Sequence, residues 1–365
     1  MSIHSFFKNK SILVTGHTGF KGSWLSIWLL ELGANVVGYS MEPYTSKDNF
    51  AVTNLRNKMV DIRGDIRDLN NLQFVFDKYK PQIVFHLAAQ PLVKLSYEIP
   101  RETYEVNVIG TLNVLECIRK SDWVKAGIMV TSDKCYENRE QIWGYRETDR
   151  MGGYDPYSSS KGAAEILIAS YRNSFFNPDK FNEHGKSIAS VRAGNVIGGG
   201  DWATDRIIPD CIRALEQGTP IEVRNPRATR PWQHVLEPLN GYLLLSARIF
   251  EDGRKYSGAW NFGPDLESVV PVKDVVERVI KYWGYGEWRD SSNFEAVHEA
   301  ALLSLDCTKA RTYLNWKPVL NIELSIRLTV EWYKNYLNMD AYELCRSQIK
   351  LYEKQESDRE IWRAP

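Results

Sequence analysis

Residues 11–22 of the chain read Ser-Ile-Leu-Val-Thr-Gly-His-Thr-Gly-Phe-Lys-Gly, and this stretch decides the fold. Residues 11–15 are apolar and β-branched, which predicts a short buried strand. Gly16, Gly19 and Gly22 follow in a GxxGxxG spacing, and a helix-like segment begins at Phe20. Glycines at such a turn let the backbone approach a pyrophosphate, and the helix N-terminus offers free N–H donors and a positive dipole end. The stretch therefore predicts a strand, a phosphate-cradling turn and a helix in succession.

The first half of the chain repeats this alternation of short apolar strands and amphipathic helices. Strands are predicted at residues 11–15, 35–39, 59–62, 82–88, 127–132 and 187–193. Helices are predicted at residues 20–32, 69–80, 102–120 and 156–175. Strands without polar alternation are typical of a parallel sheet covered on both faces, with right-handed helical crossovers. The predicted fold class is α/β, a doubly wound parallel sheet of Rossmann type.

The pattern changes after Ala193, where glycines and prolines cluster between shorter elements. We expect residues 1–193 to form a dinucleotide-binding domain and residues 194–336 to form a smaller C-terminal α/β region that binds the substrate. Chain segments cross between lobes in such folds, so we expect an interleaved boundary. Residues 337–365 are predicted to form a polar helical tail, to which we assign no chemistry.

Composition and charge argue against several classes of protein. Lys plus Arg and Asp plus Glu both number 46, so the formal net charge is zero and neither nucleic acid nor a membrane is an expected partner. The five cysteines are scattered without a CxxC pair, which favours reduced thiols, and no metal site is predicted. The sequence shows no signal-peptide pattern and no apolar run of about 18 residues, so we expect a cytoplasmic protein. His86 and His234 are expected to be structural rather than ligands.

NAD is the cofactor expected at the glycine turn, although these residues leave NADP open. In NAD enzymes a carboxylate at the end of the second strand usually accepts a hydrogen bond from the ribose 2′-hydroxyl. Residues 38–41 read Gly-Tyr-Ser-Met, and the first carboxylate is Glu42. His17 and Lys21 are expected to add positive charge beside the phosphates.

Tyr157 and Lys161 are the strongest catalytic candidates. They stand four residues apart in a predicted helix, so their side chains share one face. A neighbouring ammonium and the positive charge of an oxidised nicotinamide both favour the phenolate, so we expect them to lower the pKa of Tyr157 from its usual value of about 10. Such a phenol can take a proton from a sugar hydroxyl while hydride leaves the same carbon.

The predicted fifth strand runs into Ser132, Asp133 and Lys134. Ligands of open α/β sheets lie at the carboxyl ends of strands, and a hydroxyl, a carboxylate and an amine in succession there suit proton transfer. The alternative interpretation is a solvated transition from strand to loop.

Longer stretches of the chain resemble the extended short-chain dehydrogenase/reductase superfamily. The resemblance covers roughly residues 11–318 and includes TGHTGFKG, GDI at 64–66, LAA at 87–89, YEVNVIGT at 104–111 and the YxxxK pair. Within that superfamily, VTSDKCYENRE, GYDPYSSSKGAAE, RAGNVIGGGDWATDRIIPD and RPWQHVLEPL resemble the CDP-glucose 4,6-dehydratases specifically.

The resemblance implies two sets of binding residues. Those implied at the cofactor are Gly16, His17, Gly19, Phe20, Gly22, Asp65, Ile66, Leu87, Ala88, Ala89, Asn107, Tyr157 and Lys161. Those implied at the substrate are Gln90, Lys94, Asn195, Arg206 and Arg230. Arginine offers a planar fork of donors that suits diphosphate oxygens, although Arg206 is equally well interpreted as a solvated surface residue.

The resemblance also implies a reaction, in which CDP-D-glucose becomes CDP-4-keto-6-deoxy-D-glucose plus water and NAD⁺ is regenerated in each turnover. Tyr157 would deprotonate the 4-hydroxyl, with Ser132 hydrogen-bonded to the same oxygen. Asp133, kept protonated by burial, would be the acid for the departing 6-hydroxyl. Related dTDP-glucose dehydratases carry Glu at the position of Lys134, so Lys134 is expected to be the C5 base, with polarisation of an enolate as its alternative role. The product class feeds 3,6-dideoxyhexose synthesis for bacterial surface polysaccharides.

Two other functions stay open at this point. One is a sugar-nucleotide epimerase or reductase on the same scaffold, and the other is a non-catalytic dinucleotide-sensing protein. Helices 102–120 and 156–175 resemble those that pair between subunits in this superfamily, so a homo-oligomer, either a dimer or a tetramer, is expected.

Overall fold

A computed structural model of the protein describes residues 3–292 and 302–361, and its centre is a sheet whose strands alternate with helices. The strands are β1 Ser11–Thr15, β2 Asn35–Ser40, β3 Val60–Arg63, β4 Ile83–His86, β5 Ala126–Val130, β6 Ser187–Arg192, β7 Val196–Ile197, β8 Ile221–Val223, β9 Thr229–Pro231, β10 Gln233–His234, β11 Gly258–Asn261, β12 Val269–Pro271 and β13 Trp288–Asp290. The helices are α1 Ile3–Phe7, α2 Phe20–Glu31, α3 Asn49–Val52, α4 Leu69–Tyr79, α5 Val93–Glu98, α6 Pro100–Tyr104, α7 Gly110–Lys120, α8 Pro156–Ser174, α9 Phe181–His184, α10 Ile207–Gln217, α11 Leu236–Glu251, α12 Gly253–Tyr256, α13 Val272–Trp283, α14 Thr308–Tyr313, α15 Ile322–Asn335 and α16 Ala341–Ile361.

Within the described residues, the main sheet has seven parallel strands in the order β11-β6-β5-β4-β1-β2-β3. The chain builds outward from β1 in one direction to β3 and then in the other direction from β4. The carboxyl ends of β1 and β4 therefore border the crevice at which ligands of doubly wound sheets bind. The predicted fold class is confirmed.

Successive residues of the buried strands face opposite sides of the sheet. Ile12 and Val14 join an apolar cluster that contains Trp28 of α2, whereas Leu13 joins a second cluster that contains Leu72 of α4. Both faces are therefore covered by helices, which is why the strands lack polar alternation.

The predicted helix at residues 102–120 differs from the observed structure. α6 and α7 are joined by a π-helical turn at Glu105–Ile109. The wider turn carries Asn107, which is buried and hydrogen-bonded to the backbone of Gln90. Single π-helical turns are rare and are often found at functional sites, and helical periodicity alone does not reveal them.

Segments beyond residue 193 complete the sheet and its cover. β11 pairs with β6 along Gly258–Asn261, and α16 packs against α2, where Trp28 Nε1 donates to Glu353 at 2.8 Å. Glu237 in α11 is fully buried and accepts hydrogen bonds from the backbone N–H of Val319 and from the hydroxyl of Tyr352, at 2.8 and 2.9 Å. Residues 362–365 of the predicted tail lie outside the described residues.

Three further observations concern the described part of the chain. All five cysteines are buried free thiols. No helix in residues 3–292 or 302–361 combines the length and the apolar character needed to cross a bilayer. Over the same ranges, no group of at least three His, Cys, Asp or Glu side chains could hold a metal ion.

Replacing Tyr352 with phenylalanine tests how α16 is anchored. The change leaves one oxygen of buried Glu237 without its hydroxyl donor, so we expect a loss of about 1–3 kcal/mol in the free energy of unfolding. Urea denaturation followed by circular dichroism measures it. Tyr285→Phe is the matched control, since Tyr285 is 61% exposed, and we expect it to change the free energy by less than about 0.5 kcal/mol. Equal losses in the two variants would contradict the described docking of α16.

Candidate active site

A cavity of about 990 Å³ lies at the carboxyl ends of the central strands. The predicted site residues on its wall are Gly16, Gly19, Phe20, Gly22, Asp65, Ile66, Leu87, Ala88, Ala89, Lys94, Ser132, Asp133, Lys134, Tyr157, Lys161, Asn195, Arg206 and Arg230. His17, Gln90 and Asn107 are not among the lining residues. The fold therefore brings together groups that are far apart in the sequence.

The glycine turn after β1 is packed so tightly that side chains do not fit. Gly16 has a φ of +76°, and a Cβ there would lie 2.6 Å from the backbone nitrogen of Ala88. A Cβ on Gly22 would lie 2.1 Å from the carbonyl oxygen of Gly16. Gly19 begins α2 without a side-chain cap, so no side chain competes for the N–H groups of the first helical turn. This geometry fits a cofactor pyrophosphate.

His17 does not add positive charge to the cavity, and that prediction is wrong. Its ring is fully buried beneath β2, where a Cβ on Gly38 would lie 2.3 Å from it, and its Nε2 contacts Asp61 at 2.7 Å. Burial is the main cause that lowers the pKa of His17, which favours the neutral imidazole. Sequence spacing places His17 in the turn but does not show which way its side chain points.

Lys21 does line the cavity. Burial lowers its pKa to about 8, and the charge of Arg206 acts in the same direction. Asp133 opposes this shift, whereas Lys161 adds to it. The neighbours of the Lys21 ammonium are therefore the catalytic candidates.

The cavity wall also holds the groups that would meet a cofactor ribose. Thr18 and Ser40 share a hydroxyl hydrogen bond of 2.8 Å, and Glu42 lines the same wall. Glu42 forms ion pairs of 3.4 and 3.2 Å with Arg56 and Arg63. A carboxylate and two guanidinium groups thus meet there, so this geometry is compatible with a ribose 2′-hydroxyl or a 2′-phosphate.

Gln90 and Asn107 support the wall from behind instead of contacting a ligand with their side chains. The Asn107 side chain accepts a hydrogen bond from the backbone N–H of Gln90 at 2.9 Å and donates one to the backbone carbonyl of Gln90 at 3.1 Å. It also donates to the hydroxyl of Ser160 in α8 at 2.9 Å. The Gln90 amide donates to Thr103 at 2.9 Å. The direct contacts predicted for these two side chains are corrected to a positioning role, because both are turned into the protein.

Tyr157 and Lys161 lie one turn apart on α8, and both are on the cavity wall with 8% and 5% of their surface exposed. Asp155 caps the helix by accepting from the backbone N–H of Ser158 at 2.8 Å. Burial raises the pKa of Tyr157 to about 12, and a hydrogen bond with Ser132 acts in the opposite direction. Burial lowers the pKa of Lys161 to about 8, against the effect of Glu165.

The expected lowering of the pKa of Tyr157 includes the charge of an oxidised nicotinamide, so it stays a prediction; in the protein alone, burial raises that pKa. Desolvation of the phenol dominates, and it also weakens the charge of the Lys161 ammonium. A phenolate at neutral pH needs a further positive charge nearby, and an oxidised nicotinamide carries one.

Ser132, Asp133 and Lys134 form the start of a 3₁₀ turn that follows β5. The hydroxyl of Ser132 accepts from the backbone N–H of Lys134 at 3.2 Å and donates to Asp133 Oδ1 at 3.0 Å. Asp133 is 3% exposed, and its Oδ2 has no hydrogen-bond partner within the described residues. Lys134 is exposed on the cavity wall. The solvated-loop interpretation does not fit the two buried residues of this trio.

A buried ion pair behind the catalytic groups was missed by sequence reasoning. Glu165, one turn after Lys161, pairs with Arg192 at 2.7 Å and accepts from the hydroxyls of Thr131 and Ser190. Burial alone would raise the pKa of Glu165, but Arg192 lowers it overall and the carboxylate stays charged. The signal that could have found it is the i, i+4, i+8 spacing of Tyr157, Lys161 and Glu165.

Cationic residues from three segments surround the substrate end of the cavity. Arg206 pairs with Asp201 at 2.8 Å, and its charge acts on Tyr157, so it lies by the Tyr157 phenol rather than free in solvent. Lys94 pairs with Asp205 at 2.6 Å. Arg230 and Asn195 line the same wall, and Asn195 adopts a left-handed conformation with a φ of +49°.

His86 and His234 are both buried. His86 Nδ1 contacts Thr15 at 2.7 Å and its Nε2 contacts Thr111 at 3.0 Å. Burial lowers the pKa of His86 and of His234 to about 3 in each case, so both rings are neutral. These contacts fit the structural roles expected for both.

Comparison with known proteins places this site in a family. Residues 13–329 match the family described as GDP-mannose 4,6 dehydratase. The chain is 49% identical over 343 residues to a CDP-glucose 4,6-dehydratase of Salmonella typhimurium, covering 93% of this chain and 95% of the relative. The chain belongs to the CDP-glucose 4,6-dehydratase family. The resemblance inferred from the sequence is confirmed.

Other relatives of this dehydratase family member carry different activities on the same scaffold. A CDP-paratose 2-epimerase of Salmonella typhi is 30% identical over 346 residues, covering 88% of this chain and 98% of the relative. Among solved structures, MoeE5 in complex with UDP-glucose and NAD is 25% identical with a TM-score of 0.75, covering 90% of this chain and 100% of that chain.

NAD⁺ is expected to lower the pKa of Tyr157 in this dehydratase family member. Burial holds that pKa near 12 in the protein alone, and a positive ring beside the phenol favours the phenolate, so ionisation should move to lower pH. The tyrosinate absorbance of the protein, minus that of Tyr157→Phe, can be titrated with NAD⁺ and with NADH. NADH lacks the ring charge and serves as the control. Superimposable titrations with the two cofactors would refute the electrostatic account.

Proposed function

We propose that this protein is a lyase that converts CDP-D-glucose to CDP-4-keto-6-deoxy-D-glucose and water, with NAD as its cofactor. The observation that carries the proposal is that one cavity holds the phosphate-cradling turn, the Tyr157–Lys161 pair and the Asp133–Lys134 pair. Oxidation at C4 needs the phosphate-cradling turn and the Tyr157–Lys161 pair. Elimination across C5 and C6 needs the Asp133–Lys134 pair. The identity of 49% to a CDP-glucose 4,6-dehydratase supports the same assignment.

The residues of the chain fit NAD. Gly16, Gly19 and Gly22 leave room for a pyrophosphate to bind the backbone of the turn. Asp65, Ile66 and residues 87–89 line the groove that would hold the adenosine and nicotinamide ends of the cofactor. When bound, NAD⁺ supplies a hydride acceptor for C4 of the sugar and returns that hydride to C6.

Tyr157 is the base of the oxidation step. Its phenolate takes the proton of the 4-hydroxyl as hydride leaves C4, and Ser132 hydrogen-bonds the same oxygen. Lys161 stabilises the phenolate from one turn away, with Glu165 behind it. The resulting 4-ketone acidifies the proton at C5.

Asp133 and Lys134 carry the elimination step. Asp133 donates a proton to the departing 6-hydroxyl, which suits a buried carboxyl whose Oδ2 has no partner in the described residues. Lys134 takes the C5 proton and later returns it, and its alternative role is to polarise the enolate. As a base Lys134 acts through its neutral amine, and its exposed position on the cavity wall gives the side chain room to reach the sugar.

The substrate diphosphate is assigned to Arg206, Arg230 and Asn195, with Lys94 at the sugar end. The arginines offer forked donors, and Asp201 holds Arg206 in place. The preference for cytidine comes from family likeness. In this division of labour, residues 1–193 bind NAD, residues 194–336 bind the sugar nucleotide, and the tail from residue 337 supports both.

An epimerase is the runner-up, and the identity of 30% to CDP-paratose 2-epimerase is the observation that favours it. An epimerase or reductase needs no acid for hydroxyl loss, so Asp133 and Lys134 argue for the dehydratase. A non-catalytic dinucleotide sensor needs neither Tyr157 nor Lys161 in its cavity.

The wider setting belongs to the same proposal. We place the enzyme in the cytoplasm, in 3,6-dideoxyhexose synthesis for lipopolysaccharide O-antigen. A dimer or tetramer is supported by apolar side chains on or beside α7 and α8, since Ile109, Ile166 and Phe175 are 46%, 63% and 46% exposed.

CDP-glucose carrying deuterium at C4 tests the reaction. The internal hydride path predicts a product with deuterium at C6 and a mass lower by one water, read by NMR and mass spectrometry. Parallel assays with dTDP-, GDP- and UDP-glucose test the nucleotide, and CDP-glucose should give the highest kcat/KM. Retention of deuterium at C4 with inverted stereochemistry and no loss of water would identify an epimerase.

Tyr157→Phe tests the catalytic phenol. Removing the base should lower kcat by on the order of 10²–10⁴-fold while leaving NAD binding nearly unchanged, because the cradle is untouched. Tyr154→Phe is the control, since Tyr154 is 81% exposed and precedes α8. Fluorescence titration measures cofactor binding. A Tyr157→Phe enzyme with the kcat of the control would remove the assigned role.

A further inference from the structure

Asp133 lies where the larger cavity, of about 990 Å³, adjoins a second one of about 250 Å³. It lines both cavities, together with Gly194, whereas the other catalytic candidates line only the larger one. The second cavity extends to Ile142 and Leu266, which are both 85% exposed. Solvent therefore approaches Asp133 through the second cavity as well as through the cavity that contains the glycine turn.

Two buried side-chain oxygens at the second cavity have no hydrogen-bond donor within the described residues. Asp133 is 3% exposed, and its Oδ1 accepts from the hydroxyl of Ser132 at 3.0 Å, whereas its Oδ2 has no partner there. Gln233 is 1% exposed and lines the same cavity, and its Oε1 is also without a partner.

The amide of Gln233 is fixed in the orientation that leaves its oxygen without a donor. Its Nε2 donates to the backbone carbonyls of Gly194 and Phe262 at 3.2 and 3.0 Å. A flipped amide would place its oxygen against two carbonyl oxygens, so the NH₂ group does not turn toward Asp133. Asp133 Oδ2 itself lies against Gly194, where a Cβ would come within 1.8 Å of it. Both side chains therefore contact Gly194, and their two acceptors do not satisfy each other.

Water is the donor that fits this site. A buried acceptor without a donor is unfavourable, and a water molecule carries two hydrogens, one for each oxygen. A cavity of this volume with polar atoms on its wall has room for bound water. The second cavity thus combines polar partners, room and access to solvent.

The proposed function gives such water a task, because Asp133 loses its proton once in every turnover. As the C6–O6 bond breaks, the proton of Asp133 passes to O6 and leaves in the product water. The carboxylate that remains needs a new proton before the next elimination. A bound sugar fills the larger cavity beside Asp133 at this stage, so the second cavity is the side from which solvent reaches the acid.

We propose that the second cavity is a water inlet through which solvent returns a proton to Asp133 in each turnover, with Gln233 as the residue that positions the water. A water there gives a proton to Asp133 Oδ2, and a proton from solvent neutralises the hydroxide that remains. Tyr157 releases to solvent, through the larger cavity, the proton that it took from the 4-hydroxyl. The proton gained at Asp133 thus balances the proton released at Tyr157, while hydride moves from C4 to C6. This inlet rests on the acid role of Asp133 in the proposed function.

Filling the second cavity tests the inlet. Ser304 and Gly263 line it and do not line the larger cavity, and a Cβ on Gly263 would lie at ordinary contact distances of 3.4 and 3.5 Å from Cys307 and Leu305. We expect Ser304→Leu and Gly263→Val to complete a first turnover of CDP-glucose at the unmodified rate, because Asp133 starts protonated. The steady state that follows should be slower by about tenfold or more, as measured by rapid quenching.

CDP-6-deoxy-6-fluoroglucose separates proton supply from general damage to the enzyme. Fluoride leaves without needing a full proton, so elimination from this compound does not consume the proton of Asp133. Both filled variants should therefore release fluoride within about threefold of the unmodified rate. Ser257→Leu is the matched control, since Ser257 is also partly buried and lines neither cavity, and it should match the unmodified enzyme with both substrates.

A high-resolution crystal structure of the unmodified protein tests the water site independently of turnover. We expect an ordered water within hydrogen-bonding distance of both Asp133 Oδ2 and Gln233 Oε1. A direct contact between these two oxygens, with no water at either, would overturn the inlet.

Two kinetic outcomes also overturn it. Filled variants with the steady state of the unmodified enzyme would show that the proton reaches Asp133 by another path. Filled variants that lose turnover equally with CDP-glucose and with the fluoro compound would be impaired in a step other than proton supply. Failure of the unmodified protein to convert CDP-glucose, with the ordered water present, would instead count against the proposed function.

Discussion

The buried ion pair between Glu165 and Arg192 is the constraint on which the catalytic end of the structure depends. The Glu165 carboxylate joins α8 to the ends of β5 and β6 through Thr131, Ser190 and Arg192. Breaking such a pair from one side leaves an uncompensated buried charge, which typically costs about 3–5 kcal/mol. Lys161 lies one helical turn before Glu165, and Ser132 directly follows Thr131. The pair therefore sets the distance between the helix that carries Tyr157 and the strand end that is followed by Asp133.

The electrostatic character of the site follows from its burial. Lys21 and Lys161 both have pKa values lowered to about 8, and the pKa of Tyr157 is raised to about 12. Each shift has desolvation as its largest cause, so the protein holds these groups closer to their neutral forms than water would. A nicotinamide ring that carries one positive charge when oxidised and none when reduced can then switch the phenol between its two states. This coupling gives the oxidation step a physical reason to wait for the bound cofactor.

Much of this architecture could be predicted from the sequence, because glycine spacing, strand composition and the four-residue interval between Tyr157 and Lys161 are local patterns. The orientation of the His17 side chain could not be predicted, since it depends on the gap that Gly38 leaves in the neighbouring strand. Gln90 and Asn107 were assigned to the right loop and helix, but a π-helical turn rotates Asn107 toward Gln90 and away from the cavity. The opposing effect of burial on the pKa of Tyr157 could not be predicted either, because charges are visible in a sequence whereas the extent of desolvation is not.

The central claim is that one pocket presents Tyr157 and Ser132 to O4 of a hexose while Asp133 faces C6. A crystal structure of the complex with NAD⁺ and CDP-D-xylose, which lacks C6 and cannot lose water, tests this most directly. The account predicts that the xylose 4-hydroxyl lies within hydrogen-bonding distance of both the Tyr157 and the Ser132 hydroxyls, with Asp133 beside C5 and the diphosphate against Arg230. A sugar bound with its 4-hydroxyl turned away from Tyr157, or a Tyr157 side chain pointing out of the pocket, would contradict it.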